Sequence, residues 1–111
     1  MSSILYLSSP YSHPNASVRQ NRFDAACRVA GRLMEEGYIV FSPIAHSHPI
    51  GQIMGKALDH EFWMRQCIAL LRKSDEFAIL TIDGWEMSKG IQQELEMAKL
   101  LHIPVREVKD D

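Results

Sequence analysis

Apolar residues fall into short runs and longer helical stripes that alternate along the chain. Ile4-Leu5-Tyr6-Leu7 is a compact apolar run ended by Ser8-Ser9-Pro10, which predicts a first, central strand. Asn15 is placed to cap a helix, in which Phe23, Ala26, Cys27, Ala30, Leu33 and Met34 recur at helical spacing until Gly37 stops it. Tyr38-Ile39-Val40-Phe41 reads as a second buried strand stopped by Ser42-Pro43, followed by a loop carrying His46-Ser47-His48-Pro49. Beyond Gly51 and Gly55, a helix over Asp59–Lys73 turns Phe62, Met64, Ile68 and Leu71 inward. Phe77–Ile82 is a third strand, and a further helix runs to about His102. Ile103-Pro104-Val105 opens the last strand, where Pro104 fits the first position or an edge.

Strands alternating with helices predict one α/β domain over residues 1–111, a three-layer α/β/α flavodoxin- or Rossmann-like fold. Right-handed crossovers give a four- or five-stranded parallel sheet in the order 2-1-3-4. In such sheets a ligand crevice lies beyond the carboxyl ends of the strands, at the switch between the first and third. Three unusual loops fall at that edge: 8–14, 42–49 and 83–90. The topology therefore gathers Tyr6, Ser9, Ser42, His46, His48, Ser88 and Glu94 around one expected pocket.

The last helix contains an anomaly. At about 100° per residue, Ile91, Leu95, Ala98 and Leu101 form its apolar arc, with Met97 at the margin. Glu94 falls inside that arc. A carboxylate facing inward has a raised pKa unless it is paired, and such a group is a candidate nucleophile or proton acceptor. Its alternatives are a cap on its own helix or an ion pair with an arginine. The strand, Gly-containing loop and helix from Phe77 through Gly90 also leave backbone N–H groups free for an anion.

Composition narrows the classes. An apolar fraction of 46% and a charged fraction of 23% are ordinary for a soluble domain. A net charge of −2 and a pI near 6.2 argue against general nucleic-acid or anionic-membrane binding. No apolar run approaches the ~20 residues of a membrane span, and Met1-Ser2-Ser3 reads as no secretory leader. Cys27 and Cys67 suggest reduced thiols in a cytoplasmic protein. Lys109-Asp110-Asp111 is expected to fray. Arg28 and Arg32 are expected in solvent, whereas Arg19 and Arg22 lie near the first-strand loop, within reach of a ligand. His46 and His48 invite a metal reading, but no Cys or carboxylate completes a ligand set at recognised spacing, so ligand contact or loop bracing is favoured.

Three motifs in order carry a family resemblance: Tyr6-Leu7-Ser8-Ser9-Pro10-Tyr11, Ser42-Pro43-Ile44, and Asp83-Gly84-Trp85-x-x-Ser88-x-Gly90-x-x-x-Glu94. Over nearly its full length the chain resembles the nucleoside 2-deoxyribosyltransferase superfamily, and most closely a small branch of it. The resemblance implies cleavage of an N-glycosidic bond, with Glu94 as nucleophile and Tyr6 positioning it. A core aromatic with a satisfied hydroxyl is the alternative for Tyr6. Ser88 stands six residues before Glu94, where relatives acting on nucleoside 5′-monophosphates carry a Ser and those acting on free nucleosides an Asp. A hydroxyl can donate to a phosphate that an Asp would repel, although Ser88 could equally be an N-cap.

The expected substrate cradle comprises Ser9, Ser88, Gly90, Asp83, Trp85, Arg19, His46 and His48, with no metal or organic cofactor. Trp63 and Trp85 could stack on a base or ribose, or simply pack. One departure stands out: Cys67 lies eight residues before Asp75, where relatives carry an Asp that holds or protonates the leaving base. Asp59, His60 or His48 could supply the proton instead. The expected activity is hydrolysis of a nucleoside 5′-monophosphate by a homodimer or larger homo-oligomer. Rivals are base exchange between deoxynucleosides, a silent nucleotide-binding module, and a metal-dependent phosphoesterase using His46, His48 and Asp83.

Overall fold

The computed structural model describes residues 3–54 and 59–111. Met1, Ser2 and Gly55, on which the sequence reading drew, lie outside the described residues. The elements are β1 (Ile4–Ser8), α1 (Ala16–Glu35), β2 (Ile39–Phe41), α2 (Pro43–Met54), α3 (His60–Leu71), β3 (Glu76–Leu80), a 3₁₀ turn (Trp85–Met87), α4 (Lys89–Leu100) and β4 (Val105–Val108). All strand pairs are parallel and the four strands lie in the order β2-β1-β3-β4. This is the expected α/β fold, with helices on both faces of the sheet.

Strand alternation divides the core. Leu5 and Leu7 of β1, with Ala78 and Leu80 of β3, face α1 and pack on Ala25, Val29, Ala30 and Leu33. Tyr6, Phe77 and Ile79 face the other way, toward Leu71 of α3 and Ile91 and Ala98 of α4. The central strands are covered on both sides, which explains their continuous apolar character.

Helices α1 and α4 stop with the same backbone device. After α1, Gly37 takes a left-handed φ of 105°, its N–H reaches Met34 O at 3.0 Å, and Tyr38 N–H reaches Leu33 O at 3.1 Å. After α4, His102 takes φ 58°, with Ile103 N–H on Ala98 O at 2.9 Å. A non-glycine residue in that region carries a steric cost.

Several expectations are corrected. Residues 43–54 form a helix, not a loop. Pro43 opens it, a position where its missing N–H is no loss, and Ser42 Oγ accepts from Ala45 N–H at 3.2 Å. Pro49 sits inside the same helix and leaves the Ala45 carbonyl without its usual i+4 donor. β2 is an edge strand, so Ile39 is half exposed rather than buried. On α1 the buried stripe runs through Ala25, Ala26, Val29, Ala30 and Leu33, leaving Cys27 and Met34 exposed. Phe62 and Leu101 are exposed as well, and Leu71 is the fully buried residue of α3. β3 ends at Leu80, and β4 begins after Pro104, whose carbonyl accepts from Phe77 N–H at 2.9 Å.

The C-terminal residues are anchored rather than frayed. Arg28 grips Asp110 through two hydrogen bonds of 2.6 and 3.2 Å, and Arg32 donates to the carbonyls of Lys109 and Asp111. The two arginines expected in open solvent thus have partners, although both lie at the surface.

Candidate active site

Glu94 is 5% exposed, on the face of α4 that packs against the sheet. Its Oε2 accepts a hydrogen bond from the Tyr6 hydroxyl, and its Oε1 accepts one from Ser8 Oγ at 2.6 Å. Tyr6 and Ser8 are two apart on β1, so the pleat turns both toward α4. Neither alternative for Glu94 holds: it caps no helix, and it takes part in none of the ion pairs among the described residues. The anchoring is firm, because the Tyr6 ring stacks on Phe77 at 5.7 Å and meets Phe41 at the same distance.

Burial raises the Glu94 pKa above the usual carboxylate range. Hydrogen bonds from Ser8, Tyr6 and Cys67 and the charge of His60 pull it back without cancelling the burial. The Tyr6 pKa also rises, through burial first and then the Glu94 charge, so its hydroxyl stays a donor at neutral pH. Cys67 neighbours both groups. Its thiol is pushed up to about 11 by burial and then by Glu94, which keeps it protonated. Position 67, where the resemblance expects a carboxyl, therefore stands beside the carboxylate.

Cys67 also lines a cavity of about 250 Å³ between α2 and α3, with Phe41, His46, Trp63 and Gln66 among the other walls. Glu94 is not a wall of this cavity; Cys67 is the residue common to the cavity and the carboxylate cluster.

The remaining expected residues disperse. His46 is exposed at the cavity, its ring 5.8 Å from that of Phe41. His48 is buried elsewhere, stacked on Phe23 at 4.2 Å with Nδ1 on the Tyr11 hydroxyl. Two residues apart on a helix point in nearly opposite directions, so these histidines cannot share a ligand. Among the described residues no group of three or more His, Cys, Asp or Glu side chains could hold a metal ion.

Ser9 is buried, with an Oγ that has no partner among the described residues, and it does not join Ser8 on Glu94. Arg19 donates to the His13 carbonyl. Asp83 is exposed, and its carbonyl accepts from Arg22 at 3.3 Å. Trp85 packs against the α4-side core. Ser88 caps α4, accepting from Ile91 N–H at 3.2 Å, and Gln92 N–H takes the Ser88 carbonyl, which leaves the amides of Lys89 and Gly90 outside the helical ladder.

Arg22 is a brace. Its Nη1 donates to the carbonyls of Tyr11 and Ser12 and its Nη2 to that of Asp83, tying the loop after β1 to the loop after β3. Gly84, at φ 89°, makes room for it: a Cβ there would stand 2.4 Å from the guanidinium. Ser8 is the member of the Glu94 cluster that sequence reasoning missed, and the signal was present, since it lies two residues after Tyr6 at the end of the same strand.

A family match covers this whole architecture. The family model DUF1937, described as a domain of unknown function, matches residues 3–110. The chain belongs to that family. No curated protein matches the sequence. DUF1937 carries no activity in its description, so the functional reading of this member rests on the site itself.

Proposed function

We propose that the protein is an N-glycosidase that hydrolyses the N-glycosidic bond of a nucleoside or deoxynucleoside 5′-monophosphate through a glycosyl-Glu94 intermediate. The observation that carries the reading is a buried carboxylate with a hydroxyl donor on each oxygen and no cationic partner among the described ion pairs. A carboxylate so held is oriented without being neutralised. Burial leaves it poised to attack an electron-poor carbon, as in retaining glycosidases.

In this reading Glu94 attacks the anomeric carbon, Tyr6 and Ser8 fix its orientation, and water resolves the glycosyl ester. The free amides of Lys89 and Gly90 with the Ser88 hydroxyl take the phosphate, in keeping with the resemblance at position 88. The test is to incubate the protein with a panel of nucleoside 5′-monophosphates and quantify free base and sugar phosphate with no acceptor present. Glu94→Gln is expected to lower the rate by about 10³-fold or more. Release only when a second base is added would instead mark base exchange.

Cys67 in place of a carboxyl favours a second reading, a nucleotide-binding module without turnover. There Glu94→Ala would leave nucleotide affinity unchanged and no base would appear with any substrate. Ile53, 87% exposed, lies with half-exposed Met54 at the end of α2, an apolar surface that favours self-association into a homodimer. Sedimentation of the purified chain checks this directly.

A further inference from the structure

The cavity that shares Cys67 with the Glu94 cluster bears on which base the proposed reaction releases, an inference that rests on the N-glycosidase reading above. Its walls include Phe41, Ile50, Phe62 and Trp63, and no carboxylate lines it among the described residues. A neutral purine or pyrimidine leaves as an anion unless an acid protonates it, help worth about 10²–10⁴-fold. The groups nearest the carboxylate are poor candidates for that task. The Cys67 thiol is a weak acid, and the His60 Nε2 is engaged by Gln93 Oε1. His46, the remaining titratable wall, is exposed to solvent.

The same walls suit a flat cation. Aromatic faces attract a positive charge by about 0.5–2 kcal/mol. A positive ring held against Cys67 also favours the ionised form of the buried Glu94.

We propose that the base released is cationic while still attached: a pyridinium N-linked to ribose 5′-phosphate. One carboxylate oxygen of Glu94 forms a bond to C1′ as the C1′–N bond breaks. The electron pair of that bond returns to the ring nitrogen, and a neutral pyridine departs without needing a proton. Water then attacks C1′, the electrons of the ester C1′–O bond return to the Glu94 carboxylate, and a water proton passes to solvent. Each turnover converts a ribosylpyridinium phosphate and water into a pyridine, ribose 5′-phosphate and a proton.

The test gives the full chain the 5′-phosphate of 3-carbamoylpyridinium riboside and, in parallel, the 5′-monophosphates of adenosine, guanosine, cytidine and uridine. The expected kcat/KM for the pyridinium substrate is at least about 100-fold above the best neutral base, the scale of the missing acid. It is lost in Glu94→Gln. A smaller ratio, with Glu94-dependent release of neutral bases, overturns this inference and leaves the N-glycosidase reading standing. No Glu94-dependent release from any substrate overturns both.

A second comparison separates the missing acid from the intrinsic lability of pyridinium glycosides. Cys67→Asp restores a carboxyl beside Glu94 and is expected to narrow the preference by about tenfold or more, whereas Cys67→Asn leaves it wide. An equal ratio in the wild type and both folded variants overturns the inference.

Discussion

The two faces of the central sheet are built to different rules. Toward α1, β1 and β3 present Leu5, Leu7, Ala78 and Leu80, and the helix answers with alanine, valine and leucine. Toward α4, the same two strands present Tyr6, Ser8, Phe77 and Ile79, and the helix answers with Ile91, Ala98 and a carboxylate. The first face gains stability from every buried atom. The second holds a charged-capable group in a place where burial disfavours its charge, and three side chains of the fold are arranged to tolerate it. A fold concerned only with stability would place a leucine at position 94, so the contrast between the faces marks where chemistry is expected.

Truncation on each face probes that contrast. Leu33→Ala opens a cavity on the α1 face and is expected to cost about 2–5 kcal/mol in chemical denaturation, with kcat of the folded fraction unchanged. A selective loss of activity in that variant would mean the two faces are not independent. Tyr6→Phe keeps the stack on Phe77 and removes one donor to Glu94, so stability falls by about 1–2 kcal/mol. The rate of base release is expected to fall by about 10–100-fold, more than the stability change alone would explain.

The pH response sharpens the comparison further. Because the folded pKa of Glu94 lies above its ordinary 4.5, the native state holds a proton that the unfolded chain has already lost. Its contribution to stability is therefore full below 4.5 and is lost as pH rises through the folded pKa. Denaturation midpoints of wild type should decline across that window relative to Glu94→Gln, and identical curves would remove the raised pKa. Catalysis runs the opposite way: base release needs the ionised carboxylate, so kcat/KM rises along an acid limb centred above 4.5. The smallest effect belongs to neither face. His102→Gly relieves the left-handed strain after α4 and is expected to add about 0.5–1 kcal/mol, read as a raised Tm.

Much of this was legible in the chain. Apolar runs separated by helical stripes gave the layer order, and a single Glu inside an apolar arc gave the buried carboxylate. Tyr6 was legible as its partner through the family resemblance. Ser8 is harder to read, because the adjacent Ser9 carries the same hydroxyl at the strand's end, although only the even positions of β1 share the Tyr6 face. The second helix escaped because two prolines and two histidines look like loop chemistry. Pro43 is harmless at a first helical position, and tertiary packing on α1 and β1 tolerates Pro49. Edge position also cannot be read from one strand alone: the Tyr38–Phe41 run looks as apolar as β1 and becomes half exposed because, among the described residues, no strand pairs beyond it. The dispersal of His46, His48, Arg19 and Asp83 has a similar origin, since a shared sheet edge fixes a neighbourhood and not a direction.

The clasp made by Arg22 has a mechanical corollary. A single guanidinium joins carbonyls from two chain exits, the farther of which lies 61 residues beyond the arginine itself, so neither exit can retreat from the sheet's rim by itself. Substituting Gly84 with any larger residue would push that clasp aside, and both exits would then lose their common tether in one stroke.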